Sequence, residues 1–371
     1  MASGRETPQP GSDEHARPLV VAVDRLAAQI ASVLSAWGMP DDHVTVTVDR
    51  ILYADLRGID SHGCTTLAFY QRLRADGVLN PRAAVAVTRR YGATTLVDGG
   101  GGLGHVPATR AMELAIEMAA VHGLGAVAVR NSGHFGAAGA YAAMAAEQGL
   151  IGMATTSTPT PTVVPTFGRQ AMLGTNPIAF AAPARRHPMF LLDMATSTAS
   201  FGKVLEQWRN GRLIPDRWML DQDGAPLTAG HAALTNQRLT PLGGDLDGAS
   251  YKGYGLAMMV EILSAALAGL IFADPRLGRR QRVGHFVMAL DPARFSTGGD
   301  FTDHVDALID AMHGTDPVDP GRPVLVPGDP ERSTLAERRA NGIPLSRSVV
   351  EDLREVARVS GVPFLLDQSR S

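Results

Sequence analysis

The first part of the chain has apolar residues at helical spacing. From Leu19 to about Arg57 this spacing is interrupted once, at Gly38-Met39-Pro40. The pattern predicts two helices, and either Asp41 or Asp42 is suited to cap the second one. A third helix is predicted from Thr66 to Asp76.

The carboxyl-terminal stretch is also helical. Asp329-Pro330 is typical of a helix start and Asn341-Gly342 of a helix end. A capping box from Ser348 to Glu351 precedes another apolar run, and Gly361 is placed to end that helix.

Short apolar runs alternate with helical patterns between these two ends. The runs that predict strands are TTLVD, GAVAV, LIGMATTS, NPIAFAAP, MFLLDMA, GHFVMALDP and a short VLVPG at Val324 to Gly328. The order of elements predicts an α/β fold with helical ends.

One long apolar segment, Tyr254 to Ala273, is almost long enough to cross a bilayer. Glu261 lies in its middle, and an unpaired carboxylate is costly in lipid. The sequence has no second segment of this kind. We therefore predict a helix buried inside a large domain, and no membrane partner.

Composition narrows the classes of function. The chain has 371 residues and a formal net charge of −3, so no basic excess suggests a nucleic-acid partner. Its single cysteine, Cys64, excludes an internal disulfide and fits a reducing compartment, which favours the cytoplasm. Residues 1–18 are polar and lack the apolar core of a signal peptide, so we predict a disordered tail.

A glycine run invites a dinucleotide-binding interpretation. Gly99, Gly101 and Gly104 match G-x-G-x-x-G between a strand candidate and a helical pattern. However, Asp98 directly precedes them and would repel a pyrophosphate, and the next strand ends at Arg130-Asn131 without an acidic residue for the ribose. The pattern leaves two interpretations open: a Rossmann site, or a tight turn that needs glycines at positive φ.

Two of the eleven histidines lie in unusual settings. His62 is part of GIDSHGCTT, and His134 follows a strand candidate in NSGHFGAAGAY. A histidine among glycines at a strand end can face a cleft, where its charge change near pH 7 suits acid–base catalysis. A structural or exposed histidine is the alternative for each. No zinc-type spacing occurs in the sequence, so we predict no metal site. The sequence also lacks a nucleophile elbow and a P-loop, which argues against a serine hydrolase and against P-loop phosphate transfer.

Two further stretches favour ligand binding. In GASYKGYGLAMMVE, Lys252 stands at the start of the long predicted helix, and both a lysine and a helix N-terminus favour an anion. In LLDMATSTASFGKV, Asp193 ends a strand candidate, and the hydroxyl residues Thr196, Ser197 and Ser200 follow. A capped helix start is the alternative explanation of the second stretch.

Several stretches together resemble one family. They are DSHG followed by RLRADGVLNPRA, then SGHFGAAGAY, LGTNPIAFAAP leading into LDMATS and GK, YKGYGLAMMVEIL, GHFVMALDP and ERRANGIPL. Their order and spacing match along almost the whole chain after the tail. The sequence resembles the malate/L-lactate dehydrogenase family that lacks a Rossmann fold, which includes sulfolactate, ureidoglycolate and diketogulonate oxidoreductases and cyclic ketimine reductases.

The resemblance implies a non-Rossmann mixed-sheet domain that binds NAD or NADP, and a helical domain built from both chain ends. Residues 19–82 with 330–371 are expected to form the helical domain, and residues 83–329 the α/β core. The glycine run is then part of the scaffold. The implied cofactor-binding residues are Thr158, Asp193, Met194, Ala195, Tyr251, Lys252, Gly328, Asp329 and Pro330.

The resemblance also implies an active site. It places the two active-site histidines on His62 and His134 and adds Asp193 to the catalytic set; relatives differ in which histidine donates the proton. Substrate contacts are expected from Ser61, Thr66 and Tyr70. Relatives carry an arginine that grips the substrate carboxylate where this chain has Thr66, which suggests an atypical substrate. They also read close to TNS where this chain has TTSTPTPT, a difference expected to move the nicotinamide contact.

The expected function is NAD(P)-dependent hydride transfer to or from a carbonyl or a cyclic imine, of the 2-hydroxy acid/2-oxo acid or ketimine type. A homodimer with its cofactor cleft near the subunit boundary is expected. The other hypothesis is a family member that has lost turnover and serves as a binding or scaffold subunit. Thr66 supports that hypothesis, and the retained His62, His134, Asp193 and Lys252 argue against it.

Overall fold

The structure is a computed structural model that describes residues 18–158, 160–209, 211–229, 236–245, 247–270, 283–295 and 300–367. The tail predicted at residues 1–18 lies outside these ranges except for its last residue. The last three residues of the long apolar segment, 271–273, also lie outside them.

Helices lie at both ends of the chain and between the strands. In chain order they are α1 (Val23–Ala36), α2 (Asp41–Leu56), α3 (Thr66–Ala75), α4 (His105–His122), α5 (Gly139–Ala146), α6 (Phe201–Arg209), α7 (Ser250–Glu261), α8 (Phe301–His313), α9 (Asp329–Asn341) and α10 (Arg347–Ser360). Short 3-10 turns occur at Asp60–His62 and Pro292–Arg294, and a π turn at Ile262–Ala266 continues α7.

The strands form one large sheet and one small one. They are β1 (Leu19–Val21), β2 (Ala86–Tyr91), β3 (Thr94–Asp98), β4 (Leu124–Ser132), β5 (Ile151–Thr156), β6 (Ile178–Ala182), β7 (Phe190–Met194), β8 (Val283–Leu290) and β9 (Ile343–Leu345). The large sheet has seven strands in the order β2-β3-β4-β8-β5-β6-β7. β3 and β4 are parallel, and its other neighbouring strands are antiparallel. This confirms the predicted α/β fold with a mixed sheet.

The strand directions bring the candidate residues to one edge of the large sheet. β3, β4, β5 and β7 end at this edge, whereas β6 and β8 begin there. We call it the front edge and define it by Asp98, Ser132, Thr156, Ile178, Met194 and Val283. The loops that follow β3, β4, β5 and β7 therefore converge, although long stretches of sequence separate them.

Two glycines allow alanine-rich helices to pack closely on the sheet. A Cβ on Gly125 of β4 would lie 2.0 Å from the Ala115 carbonyl oxygen of α4. A Cβ on Gly152 of β5 would lie 2.2 Å from the Ala142 carbonyl oxygen of α5. Both distances are far below van der Waals contact, so this core depends on small residues in both layers.

The two chain ends share one apolar core. β1 and β9 pair antiparallel, with Leu19 opposite Leu345. Ile30 of α1 and Ile51 of α2 are fully buried in the same cluster as Leu353 of α10. Each such side chain contributes about 1.5–3 kcal/mol through burial. This packing holds the helices beside the front edge.

Most helix boundaries follow the predicted ones, but two predicted caps are wrong. α2 begins at Asp41, and the cap position is Pro40, which makes no side-chain cap bond. Asp41 and Asp42 lie in the first turn instead, where they favour the helix dipole. α10 is capped by Ser346, whose Oγ accepts the Val349 amide at 3.4 Å, and not by Ser348.

The predicted strand VLVPG is also wrong. Residues 324–328 belong to no ladder, although the Leu191 amide of β7 donates to the Pro327 carbonyl at 3.2 Å. Prolines at positions 323 and 327 lack the amide that a ladder needs. The segment therefore runs beside β7 without extending the sheet.

The long apolar helix is only partly buried, which corrects another prediction. α7 begins at Ser250, and its inner residues Ala257 and Val260 are fully buried. Its outer face exposes apolar side chains: Met258 (40%), Met259 (37%), Ile262 (56%) and Leu267 (58%). Among the residues that the structure describes, no helix has the length and apolar character needed to cross a membrane.

Candidate active site

The loop that carries His62 is held by a buried carboxylate. The Asp55 Oδ2 atom accepts the Cys64 amide at 2.8 Å, and a Cβ on Gly63 would fall 1.8 Å from Asp55 Oδ1. The glycine after His62 is therefore required. Burial raises the pKa of Asp55 to about 7, although hydrogen bonding from Cys64 opposes the rise.

Arg338 of α9 holds the other side of this loop. Its guanidinium forms a two-pronged ion pair with Asp60, in which Nη2 lies 3.2 Å from Oδ2, and Nη1 also donates to the Asp55 carbonyl. The side chain of Arg338 is 12% exposed, whereas that of Asp60 is 54% exposed, so only the arginine side of the pair is shielded from water. A two-pronged arginine–carboxylate pair fixes orientation as well as distance.

His134 follows β4 at the front edge, and the glycine run supports its loop. The Gly104 amide donates to the His134 carbonyl at 2.9 Å. A Cβ on Gly104 would lie 2.4 Å from the Gly133 carbonyl oxygen. The two loops therefore pack backbone against backbone.

The structure brings the two predicted histidines together. The His62 and His134 rings stack, with centroids 5.5 Å apart and an interplanar angle of 24°. The Ser61 hydroxyl lies 2.8 Å from His62 Nδ1, and the Tyr70 hydroxyl lies 2.7 Å from His134 Nδ1. No hydrogen bond or ion pair among the described residues engages Nε2 of either ring. Each ring therefore has one nitrogen held by the protein and one available to a ligand.

Both histidines favour the neutral form. Desolvation lowers the pKa of His62 below its ordinary value. Desolvation also lowers the pKa of His134, and the nearby His62 and His105 lower it further. Two stacked imidazoles disfavour a double positive charge, so at most one of the two rings is positively charged at neutral pH.

Thr66 and Tyr70 lie behind His134 instead of lining an open surface. Thr66 is 7% exposed and Tyr70 is fully buried. The Thr66 hydroxyl donates to the Gly63 carbonyl at 2.7 Å. Burial raises the pKa of Tyr70, and a contact from the Thr66 hydroxyl one turn away opposes the rise.

Two buried histidines near this pair were not predicted. His285 bridges the front edge, with Nδ1 2.8 Å from Thr156 Oγ1 and Nε2 2.8 Å from Ser132 Oγ. His105 is fully buried, and neither of its ring nitrogens has a partner among the described residues. Burial lowers the pKa of each to about 3, so both are neutral. His285 lies near the start of β8, and His105 is the first residue of α4. At neither position does the sequence distinguish the residue from an ordinary core histidine.

Asp193 ends β7 near the start of α5. Its Oδ2 atom accepts the Gly139 amide at 2.7 Å, five residues after His134. Water reaches the side chain, but protein atoms surround most of it, and this desolvation raises its pKa to about 6. The Gly139 amide lowers the pKa, and the charge of Glu331 raises it.

Two predicted cofactor-side segments lie beside β7. On one side, the Thr158 hydroxyl donates to Asn176 Oδ1 at 3.3 Å, and the Thr196 amide, next to Ala195, donates to the Thr175 carbonyl at 2.9 Å. This contact places Thr158 near the end of β7, which Met194 forms.

The other segment is Gly328 to Pro330 at the start of α9. Gly328 has φ +101°, and a Cβ there would lie 3.3 Å from that of Leu191. The Asp329 Oδ2 atom accepts the Val326 amide and lies 2.8 Å from His313 Nε2. Desolvation raises the pKa of Asp329, but these partners and Arg332 lower it overall.

Tyr251 and Lys252 lie in the exposed first turn of α7. The Lys252 ammonium is 5.9 Å from the centre of the Tyr251 ring. A Cβ on Gly253 would lie 2.3 Å from the Leu242 nitrogen, and the Leu242 amide donates to the Thr196 carbonyl at 2.8 Å. The helix start is thus anchored beside the end of β7.

The glycine run offers few free amides. The Gly99 and Gly101 amides donate to the carbonyls of Arg130 and Asn131, at 2.9 and 2.8 Å. The Gly100 amide donates to Asp98 Oδ1 at 3.0 Å. The Asp98 carboxylate also accepts from the side chains of Arg130 and Asn131. A pyrophosphate cradle needs outward-pointing amides, whereas these are used inside the protein.

Among the described residues, no group of three or more His, Cys, Asp or Glu side chains is arranged to hold a metal ion.

Comparisons with known proteins agree with this architecture. A family model described as malate/L-lactate dehydrogenase matches residues 21–354. The malate dehydrogenase of Pyrococcus horikoshii is 38% identical over 350 residues, which cover 93% of this chain and 96% of that protein. The crystal structure of malate dehydrogenase from Entamoeba histolytica matches with a TM-score of 0.88 at 31% identity, over 94% of this chain and 99% of that chain.

An imine-reducing enzyme has a similar fold. Δ1-piperideine-2-carboxylate reductase from Pseudomonas syringae matches with a TM-score of 0.80 at 30% identity, over 91% of this chain and 99% of that chain. The family model and the relatives span nearly the whole length of the protein. The chain therefore belongs to the malate/L-lactate dehydrogenase family of NAD(P)-dependent oxidoreductases.

Proposed function

We propose that this protein transfers a hydride between NAD or NADP and a small acid that carries a 2-hydroxy/2-oxo group or a cyclic imine. The observation that carries the proposal is the stacked pair His62 and His134 at the front edge, with Nε2 of both rings free for a ligand. Hydride transfer to a carbonyl or imine needs a proton donor, and the reverse reaction needs a base.

The cofactor site is proposed along the end of β7. The described residues fit a dinucleotide because they combine the exposed cation of Lys252, a nearby aromatic ring and polar strand ends. When bound, the nicotinamide supplies or accepts the hydride. Met194, Ala195 and Thr158 would line its path, and Lys252 would meet a phosphate group. The Asp329 carboxylate has three partners within the protein, so we expect Gly328 and Pro330 to contribute through their backbone.

Asp193 is proposed to adjust the charge of the site. Its carboxylate is held by the Gly139 amide, and its pKa near 6 lets it hold or release a proton close to physiological pH. It caps the helix that follows the His134 loop. It would therefore position that loop and balance the positive charge that a histidine gains during turnover.

Lys203 is proposed to hold the substrate carboxylate. Only two of the 34 lysine and arginine residues in the sequence are lysines, Lys203 and Lys252. A Cβ on Gly202 would lie 3.9 Å from Cβ of Ser61, so the first turn of α6 faces the His62 loop. The Lys203 side chain is exposed and has no ion-pair partner among the described residues. It therefore supplies a cation where Thr66 cannot.

The substrate is proposed to be larger or less acidic at one end than lactate or malate. Thr66 is buried and its hydroxyl is used by Gly63, so it offers no two-pronged grip on a carboxylate. A single flexible lysine tolerates a bulkier acid, such as a cyclic imino acid. The match to a piperideine carboxylate reductase supports this second substrate class.

We also propose a homodimer in a reducing compartment such as the cytoplasm. The exposed apolar face of α7 (Met258, Met259, Ile262 and Leu267) suits contact with a second copy. Ile262→Glu should convert dimer to monomer in sedimentation analysis, whereas Val121→Glu, at an even more exposed apolar site on α4, should not. Cys64 is a buried free thiol, consistent with reducing conditions.

A substrate panel tests the proposed function. NADH and NADPH binding is followed by cofactor fluorescence, and turnover is measured with pyruvate, oxaloacetate, bulkier 2-oxo acids and cyclic imino acids. The proposal predicts binding of one cofactor and turnover of at least one acid. Cofactor binding without turnover of any substrate would favour the scaffold hypothesis.

A further inference from the structure

His285 connects two strand ends at the front edge. It is fully buried in β8, which lies between β4 and β5 in the large sheet. Its Nε2 atom lies 2.8 Å from the Ser132 hydroxyl at the end of β4. Its Nδ1 atom lies 2.8 Å from the Thr156 hydroxyl at the end of β5. One imidazole therefore crosslinks three neighbouring strands at the edge where the candidate residues converge.

On the β4 side, His285 contacts the chain before and after His134. Ser132 lies two residues before His134, and Phe135 directly follows it. The Phe135 ring stacks on the His285 ring, with centroids 4.6 Å apart and an interplanar angle of 7°. The Tyr141 hydroxyl also donates to the Phe135 carbonyl. The loop that carries His134 is therefore held at both of its flanks.

On the β5 side, β8 holds the segment that leads to Thr158. The Ser157 amide donates to the Gly284 carbonyl at 3.1 Å, and the Gly284 amide donates to Ser157 Oγ at 3.2 Å. Gly284 directly precedes His285, and Ser157 directly follows Thr156. The proposed cofactor contact Thr158 is the next residue. His285 and its neighbour therefore fix the start of the cofactor-side loop.

The crosslink does not depend on the charge of the site. Burial lowers the pKa of His285 to about 3, so this ring is neutral near pH 7. A neutral imidazole has one donor and one acceptor nitrogen, and a hydroxyl group can take either role. The contacts with Ser132 and Thr156 are therefore satisfied in either tautomer. The ring can hold both strands while His134 gains and loses a proton.

We propose that His285 is a positioning residue that sets the separation between the proton-transferring His134 and the cofactor-side segment at Thr158. This inference rests on the function proposed for those two residues. The reaction delivers a hydride from the reduced cofactor to carbon, and a proton from His134 to the oxygen or nitrogen bonded to that carbon. Both deliveries require a fixed separation of the two loops, and a misplacement of about 1 Å can cost about 10²-fold in rate.

Conservative variants can remove the two contacts separately. An asparagine amide reaches the position of Nδ1 and a glutamine amide that of Nε2, so His285→Asn keeps the Thr156 contact and His285→Gln keeps the Ser132 contact. His285→Leu removes both contacts. Ser264→Ala is the matched control, because it removes a buried hydroxyl contact of similar length, 2.7 Å from Thr155 Oγ1 of β5.

Amide hydrogen exchange tests the crosslink without turnover. We expect faster exchange in the His134 loop (residues 132–136) of His285→Asn, in residues 156–158 of His285→Gln, and in both segments of His285→Leu. Ser264→Ala should leave the His134 loop at the wild-type rate. If His285→Leu does not fold, the two amide variants still decide the result. Wild-type exchange of the His134 loop in His285→Asn, or equal acceleration in Ser264→Ala, would overturn the proposal.

Kinetics supply an independent test. His285→Asn should lower kcat about tenfold and leave substrate KM and cofactor Kd within about threefold, because about one hydrogen bond is lost and no ligand contact is removed. Its solvent deuterium isotope effect should rise, because proton transfer is slowed. In a Ser132→Ala background, His285→Asn should cost nothing more.

The outcomes separate this inference from the proposed function. A wild-type kcat in His285→Asn, or losses that add in the double variant with Ser132→Ala, would contradict a positioning role. If hydrogen exchange behaves as expected but no acid turns over in the wild type, the proposed function fails and the crosslink does not.

Discussion

The imidazole of His62 lies over that of His134, with ring centroids 5.5 Å apart. One ring comes from the helical part of the chain and the other from the loop after β4. A charge on either ring raises the free energy of a charge on the other. The pair therefore favours a positive charge on no more than one ring at a time, so one histidine at most acts as the proton donor to a substrate atom.

Removing the histidines should separate their roles. His134→Asn is expected to lower turnover about 10²–10⁴-fold, because its Nε2 is proposed to exchange the proton with the substrate. His62→Asn should cost less, with cofactor binding retained in both variants. Steady-state kinetics and cofactor fluorescence measure the two effects. Wild-type turnover in both single variants would contradict the hypothesis that this pair carries out acid–base catalysis.

The pH profile should report a histidine with a depressed pKa. Desolvation favours neutral His134, so the base form dominates above pH 6.5. We predict that kcat/KM for hydroxy-acid oxidation is constant above pH 6.5 and falls only below it. Desolvation raises the pKa of Asp193 to about 6, so this carboxylate could also produce an acid limb. If the fall in kcat/KM at low pH is caused by a histidine, the same fall should remain in the Asp193→Asn variant. A limb above pH 7 would be inconsistent with buried neutral histidines.

Asp55 should make the protein less stable as pH rises. Its pKa is about 7 when folded and 3.8 in its ordinary state, so the folded form binds the proton more tightly. The stabilisation is complete below pH 3.8 and is lost as pH rises through 7. Compared with Asp55→Asn, the wild type should lose up to about 4 kcal/mol of unfolding free energy over this window. Urea unfolding at several pH values measures this difference, and parallel curves for the two proteins would contradict it.

The two lysines should have separable effects. Lys252→Ala is expected to weaken cofactor binding by roughly 1.5–3 kcal/mol with little effect on substrate KM. Lys203→Ala should raise KM for an acidic substrate and leave the cofactor Kd within a few-fold. Each variant serves as the control for the other. A larger loss of cofactor affinity in Lys203→Ala than in Lys252→Ala would reverse our assignment.

Much of the fold was accessible from local pattern. Strand and helix periods located the elements, and motif resemblance singled out His62 and His134, which the structure stacks together. Position along the chain could not reveal the Arg338–Asp60 pair, because 278 residues separate the partners. Nor could it show that the Thr66 hydroxyl is donated to Gly63 instead of facing the substrate. Both depend on where helices meet, which a one-dimensional pattern does not encode.

Exposure of α7 was mispredicted for a related reason. Its residues are apolar on almost every side, which is typical of a helix buried all around. The chain covers one side through Ala257 and Val260, and leaves Ile262 more than half exposed. The apolar character of a helix does not show whether its own chain covers all of its faces or leaves one face exposed.

Transfer of an isotopic label tests the central claim most directly. A 2-hydroxy acid or cyclic amino acid from the substrate panel, deuterated at the carbon that loses hydride, is incubated with the protein and unlabelled NAD or NADP. The reduced nicotinamide is then examined by mass spectrometry. Our account predicts deuterium on the nicotinamide with the wild-type protein and about 10²–10⁴-fold slower labelling with His134→Asn. Absence of label with every substrate and both cofactors, in protein that binds a cofactor, would contradict the account.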